Sequence, residues 1–301
     1  MAPPTREAAL TTALRPQQTL ARPCRVAGFG YWSGRDVEVE FRPAPPHSGV
    51  VFVRSDYDPP RRIAADVRRR VEMPRRTTLA DQGTRVEMVE HVLAALYGLE
   101  IDNCEVWLNS AELPGLDGSC QRLVEVLREA GIVPQPALRR RLVVTEVTRV
   151  GDDSSWVEAR PARHGGLSIR YRLDYGPDSP IGRETIELKV TPQSFCTELA
   201  PARTFLLAEE AQWLRQQGLG TRVTPQDLLV FGPDGPLENE LRMENECVRH
   251  KALDLIGDLA LAGCELVGTI IAHRSGHRLN AELVRMLLVE GRIEEGLRKT
   301  G

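Results

Sequence analysis

The sequence predicts an α+β protein built from two domains of similar topology, and three observations carry that reading. Residues 87–108, EMVEHVLAALYGLEIDNCEVWL, have a counterpart in 246–270, ECVRHKALDLIGDLALAGCELVGTI. Both open E-x-V-x-H, both place a leucine and then a glycine at the same distances after the histidine (Leu96 and Gly98; Leu255 and Gly257), and both then enter an apolar run through Cys-Glu. Strand-like runs precede each helix, and strands with few helices point to a sheet on one side and helices on the other. A Pro-containing joint, GIVPQPALRRR at 131–141, separates the copies. A match this long suggests duplication. Two copies packed helix face to helix face bring His91 and His250 toward one interface.

Residues 1–18 carry no packed pattern and read as a loose extension; with Glu7 and little serine they are a poor transit peptide. The first domain, 19–135, has strand runs VEVEFRP, VVFVR and TRVEM, then a helix whose apolar stripe is Val89, Val92, Leu93, Leu96 and Tyr97 and which stops at a glycine. The second domain, 140–301, repeats the order with RLVVTEVTRV, LSIRYRLDY and TIELKV before VRHKALDLIGD.

Charged residues make up 27% of the 301 and the net charge is −3, so no basic surplus points to nucleic acid. No apolar run is long enough to span a bilayer. Six cysteines without a CxxC pair fit reduced thiols in a cytoplasmic enzyme. Lysine occurs only at 189, 251 and 299 although Lys plus Arg is 39, so Lys251 is a lysine for a reason.

The helix VRHKALDLIGD is apolar on most faces, which marks it as buried, yet His250, Asp254 and Asp258 stand one above the other along it. Two readings stay open. The row is internally paired, or paired with Arg242 and Arg249; or His250 and Asp254 are two ligands of a catalytic zinc, with His91 of the matching helix as the third. Asp258 is then left for an orienting role. Glu90, beside His91, has the placing of a general base on metal-activated water. HRSGHRLN sets His273 and His277 on a loop from which a histidine can act as general acid or simply be solvated. Lys251 suits a phosphate or a developing charge near the site. Thr204 in PARTFLL is a hydroxyl donor in an apolar context, which by itself reads as a core or capping residue.

At these residues the chain resembles the UDP-3-O-acyl-N-acetylglucosamine deacetylase family. TTL at 77–79, VEH at 89–91, GLEIDN at 98–103, LPGLDGS at 113–119, ARTF at 202–205, VRHKALDLIGD at 248–258 and SGH at 275–277 match in order, from about residue 19 to about residue 287. The resemblance implies helices sandwiched between two sheets and a zinc amidase at the committed step of lipid A synthesis. It implies a cytoplasmic monomer that acts on UDP-3-O-acyl-N-acetylglucosamine and neither binds nucleic acid nor inserts into membrane. It assigns His91, His250 and Asp254 as zinc ligands, Glu90 as base, His277 as acid and Asp258 as the group that orients it. It places Thr204 at the oxyanion, Lys251 and Phe205 on the sugar end, and Asp174 and Tyr175 as the aspartate–aromatic pair for uridine.

The chain departs from the family's pattern at Trp32, where a histidine is usual, at GTRVTP (220–225), at Leu206, and at Arg75 and Arg76 just before TTL. These fall on pocket-shaping elements, and the two arginines predict a weakened or shortened acyl preference. Two rivals remain: a deacetylase of a UDP-N-acetylhexosamine without the long chain, and a non-catalytic nucleotide-sugar-binding regulator. A binder has no use for a proton donor and a base.

Overall fold

The computed structural model describes residues 13–162 and 165–295. Its helices are α1 (Val89–Gly98), α2 (Gln121–Ala130), a one-turn α3 (Pro192–Ser194), α4 (Ala208–Gln216), α5 (Glu246–Leu259) and α6 (His277–Glu290). Among the described residues no helix is long and apolar enough to cross a membrane.

The fold is α+β, and its two main sheets share one plan. In the first, the strand after α1, Cys104–Leu108, is central. It runs antiparallel to Asp36–Pro43 on one side and parallel to Val50–Arg54 on the other. Cys24–Phe29 and Arg61–Ala64 continue the sheet outward by antiparallel pairing. In the second, the strand after α5, Glu265–His273, is central. It is antiparallel to Trp156–Arg160 and parallel to Leu167–Asp174, with Thr148–Gly151 and Arg183–Lys189 outside them. Two short strands, Arg141–Val143 and Arg292–Glu294, extend this second sheet. The sequence repeat is therefore a repeat of topology, strand for strand.

Alternation explains which side each sheet buries. In Asp36–Pro43 the residues Val37, Val39 and Phe41 are buried while Glu38 and Arg42 are not; in Leu167–Asp174 the buried set is Leu167, Ile169, Tyr171 and Leu173. A period of two turns one apolar face toward the helices. Between the sheets α1 lies against α5, and α5 packs on Leu167–Asp174 and Arg183–Lys189. Every residue of α5 except Arg249 and Lys251 is buried, and every residue of α1 except Tyr97.

The glycine read as a helix stop has another use in the second copy. Gly257 lies inside α5, and a Cβ there would sit 2.1 Å from the carbonyl oxygen of Glu90 in α1. The equivalent Gly98 meets the ring of Phe195 in the same way, at 2.3 Å. The glycine keeps its place in both copies because a neighbour comes too close for a side chain.

Two expectations change. The loose extension to residue 18 ends sooner: Pro16–Leu20 is a strand, paired antiparallel with Ile132–Leu138 out of the supposed joint. Asp102 fixes it, taking both Arg15 nitrogens and the Gln18 amide. Residues 1–12 lie outside the described residues. The expected strand 141–150 is two strands, broken at 144–147.

Candidate active site

The close approach of α1 and α5 creates the site. His91 is in the first turn of α1, and His250 and Asp254 are one turn apart on α5. Asp254 Oδ1 lies 3.5 Å from His91 Nε2 and 3.4 Å from His250 Nε2, and the two rings meet edge to face with centroids 5.1 Å apart. One ligand atom from each residue falls within 4.8 Å of the others, and all three residues are buried, a group that can hold a metal ion.

The donor set suits a cation. Burial would raise the Asp254 carboxyl, but Lys251, His250 and His91 together hold it well below the usual carboxylate range. Its two oxygens are divided: Oδ1 faces the imidazoles and Oδ2 takes the Lys251 ammonium at 2.6 Å. Burial pushes His250 down to about 4 against the pull of Asp254, so its ring is neutral near pH 7. Its Nδ1 lies 3.2 Å from the Ala202 carbonyl, to which only an N–H can donate. That leaves the Nε2 lone pair for a metal, the usual orientation of a ligating histidine. Arg242 and Arg249, the partners of the internally paired reading, are engaged elsewhere, with Asp117 and Glu198.

Glu90 and His277 line the same cavity as the triad. Glu90 Oε2 accepts from the Thr77 amide at 2.9 Å, and burial raises its pKa. His277 is not on a loop: it is the first residue of α6, while His273 ends the preceding strand beside Trp156. His277 Nδ1 donates to Asp258 Oδ2 at 2.9 Å, and Asn280, one turn along α6, donates to the same oxygen at 2.8 Å. Burial works to lower His277, but the charge and hydrogen bond of the fully buried Asp258 lift it to about 9. It is a charged proton donor near pH 7.

Thr204 Oγ1 donates to the Gly118 carbonyl at 3.0 Å and lies 3.1 Å from His250 Nε2. Phe205 meets Tyr175 and His250 with centroids 5.9 and 6.2 Å away. Lys251, Phe205 and Tyr175 line the cavity; Asp174 does not, and it binds Arg183 at 2.9 Å. The expected aspartate–aromatic pair is thus split. Lys251, expected to meet substrate, spends its ammonium on Asp254.

The cavity holds about 520 Å³. Part of the lining is apolar: Leu206 of the strand Phe205–Leu207, Ala211 and Leu214 of α4, and Val223, Leu228 and Val230 of the chain that follows it. Trp32 and Arg75 also line the cavity. Arg75 pairs with Glu210 of α4 at 2.9 Å; Arg76 reaches Glu87 at 2.9 Å with its guanidinium 4.5 Å from the Trp32 ring centre. The two arginines found partners rather than an apolar grave. Sequence reasoning gave no role to Thr77 or Asn280. The only available signals were that Thr77 opens TTL and that Asn280 falls one helical turn after His277.

The chain is similar to known proteins over most of its length. A UDP-3-O-acyl-N-acetylglucosamine deacetylase of Solibacter usitatus (strain Ellin6076) is 37% identical over 283 residues, 94% of each chain. Proteins of the same name from Haemophilus influenzae (strain 86-028NP), 36% identical over 90% of each chain, and Shewanella denitrificans, 33% identical over 91% of this chain and 90% of the other, are similar throughout. The profile of LpxC, UDP-3-O-acyl N-acetylglycosamine deacetylase, matches residues 17–289, which takes in both sheets but for the edge strand Arg292–Glu294, the facing helices and every residue of the site, and the chain belongs to that family.

Proposed function

We propose that this chain hydrolyses the acetamide of UDP-3-O-acyl-N-acetylglucosamine, a step of lipid A biosynthesis, with zinc held by His91, His250 and Asp254. One observation carries the reading: a buried His-His-Asp group on two facing helices shares its cavity with a pKa-raised carboxyl, Glu90, and a protonated imidazole, His277. Bound there, zinc supplies a Lewis acid for the amide carbonyl and lowers the pKa of water. Glu90, held by the Thr77 amide, takes the proton of the attacking water. Thr204, beside the His250 ligand nitrogen, turns its hydroxyl from the Gly118 carbonyl to donate to the oxyanion that develops on the substrate carbonyl. His277 gives its proton to the departing nitrogen as the C–N bond breaks, and Asp258 stabilises the imidazolium until then. Acetate and the free amine leave.

The apolar lining from Leu206 to Val230 suits the 3-O-acyl chain, at about 0.8 kcal/mol for each methylene buried. It argues against a substrate without such a chain. Tyr175 and Phe205 present aromatic faces to the sugar and nucleotide end. Lys251 supports Asp254 and, with three donor protons, can serve a substrate oxygen as well. We read residues 19–135 and 140–301 as the two duplicated domains, supported by their matching sheets, and place the reaction in the cytoplasm, where nucleotide-linked sugars are made. The test is acetate release by the zinc-loaded protein from acylated and unacylated UDP-N-acetylglucosamine, with Glu90→Gln beside the parent. Expected are a strong preference for the acylated donor and, in Glu90→Gln, retained zinc with a rate loss of roughly 10²–10⁴-fold. No acetate from the acylated donor overturns the reading; loss of zinc in Glu90→Gln makes Glu90 a ligand instead of a base.

A further inference from the structure

The duplicated halves repeat a detail beyond the histidine. In each, a buried glutamate stands four residues before the ligand-position histidine: Glu87 before His91, Glu246 before His250. Each glutamate binds an arginine that threonine follows directly, Arg76 to Glu87 at 2.9 Å and Arg203 to Glu246 at 2.8 Å. Arg76-Thr77 is therefore the counterpart of Arg203-Thr204. Each threonine comes just before or at the start of a short strand, Thr78–Asp81 or Phe205–Leu207. Thr204 is already placed at the oxyanion.

Thr77 is fully buried. Its amide donates to Glu90 Oε2 at 2.9 Å, and its hydroxyl donates to Asp258 Oδ1 at 2.5 Å, across the interface between the halves. Asp258 gives its other oxygen to His277 and Asn280. One residue thus touches both the carboxylate assigned as base and the carboxylate that holds the acid. Carboxylates turn about a soft terminal torsion, and a donor on each is what fixes them.

Resting on the deacetylase reading, we propose that Thr77 is a positioning residue of the reaction: it sets Glu90 and, through Asp258, His277 at a fixed separation on either side of the scissile amide. Its hydroxyl ties down the second oxygen of Asp258, so that the carboxylate cannot swing and carry the imidazole with it. The adjacent Thr78 is equally buried, but its hydroxyl has no hydrogen-bond partner among the described residues. It is the natural control.

The experiment compares Thr77→Val, Thr77→Ser and Thr78→Val in the zinc-loaded protein. Thr77→Val keeps the amide and the shape and removes only the hydroxyl. Loss of one hydrogen bond to a charged group should lower kcat roughly tenfold or more, while KM and zinc content hold. Thr77→Ser should recover most of the loss, and Thr78→Val should match the parent. In the Asp258→Asn background, Thr77→Val should add little, since both act on one contact. Independently of turnover, the downfield Nδ1 proton of His277 should be sharp by NMR in the parent and in Thr78→Val, and broadened by exchange in Thr77→Val. Parent-like kcat and an unchanged proton in Thr77→Val, full additivity with Asp258→Asn, or an equal loss in Thr78→Val would assign Thr77 to packing alone. An inactive parent overturns the deacetylase reading, and the NMR comparison then still decides the positioning role.

Discussion

Asp258→Asn tests the proton donor quantitatively. The carboxylate lies at zero exposure and touches His277 Nδ1 at 2.9 Å, and its charge and hydrogen bond are the chief causes that lift the imidazole from 6.5 to about 9. Asparagine keeps an acceptor in the same place and removes the charge. Burial, which lowers His277, is then opposed only by the more distant Glu90 and Asp254, and the imidazole falls to its ordinary value or below. A group with pKa about 9 is roughly nine-tenths protonated at about pH 8, and one at about 6.5 only about 3%, so kcat/KM there should drop about thirtyfold. At about pH 6 both are mostly protonated, and the loss from this cause should be less than about twofold. A cation on the ligand triad lowers both imidazoles alike, so the displacement between the two profiles is the quantity to compare. The assay is acetate release as a function of pH, with the basic limb fitted for parent and variant. A variant slower by one constant factor, its basic limb unmoved, refutes the claim that Asp258 acts by keeping His277 charged.

The same pair bears on stability. His277 has a folded-state pKa above its unfolded value, so its contribution is complete below about 6.5 and is lost as pH rises through about 9; melting temperature should decline over that window in the parent and be flatter in Asp258→Asn. Asp254→Ala should lose zinc, as should His91→Ala and His250→Ala, and it alone should also leave the partly buried Lys251 ammonium without its carboxylate, a destabilisation of about 1.5–3 kcal/mol that chemical denaturation of the metal-free proteins would resolve. Full stoichiometric zinc in all three would remove the triad from consideration. Gly257→Ala places a methyl group 2.1 Å from the Glu90 carbonyl, backbone that cannot step aside, so α1 and α5 must part. We expect a loss of about 1–3 kcal/mol or more and weaker zinc binding, and an unchanged metal titration would mean the helices have slack. Arg75→Leu removes a half-exposed ion pair with Glu210 worth at most about 1 kcal/mol, so stability should hold. The ratio of kcat/KM between long-chain and short-chain donors should rise, and an unaltered ratio would make Arg75 a surface residue without influence on the chain.

Much of this protein was determined by sequence alone, because much of it is periodic or repeated. Alternation over 37–43 and 167–174 sets which residues face inward whatever lies opposite. A row of His250, Asp254 and Asp258 on an apolar helix calls for a partner, and the matching E-x-V-x-H at 87–91 pointed to His91. What pairing decides could not be read in one dimension. Pro16–Leu20 is a strand only because Ile132–Leu138 returns beside it, and nothing in PQQTL announces the match. Gly257 looks like a stop and is a point of contact, since the atom it avoids belongs to Glu90, far away along the chain. Lys251 and Asp254 form their own local pair, and Asp174 follows Arg183 out of the cavity, because a charge takes the nearest partner that geometry offers. Thr77, with two donors facing two carboxylates on different helices, carries no mark in its own segment. Its place in the site exists only where the two copies meet.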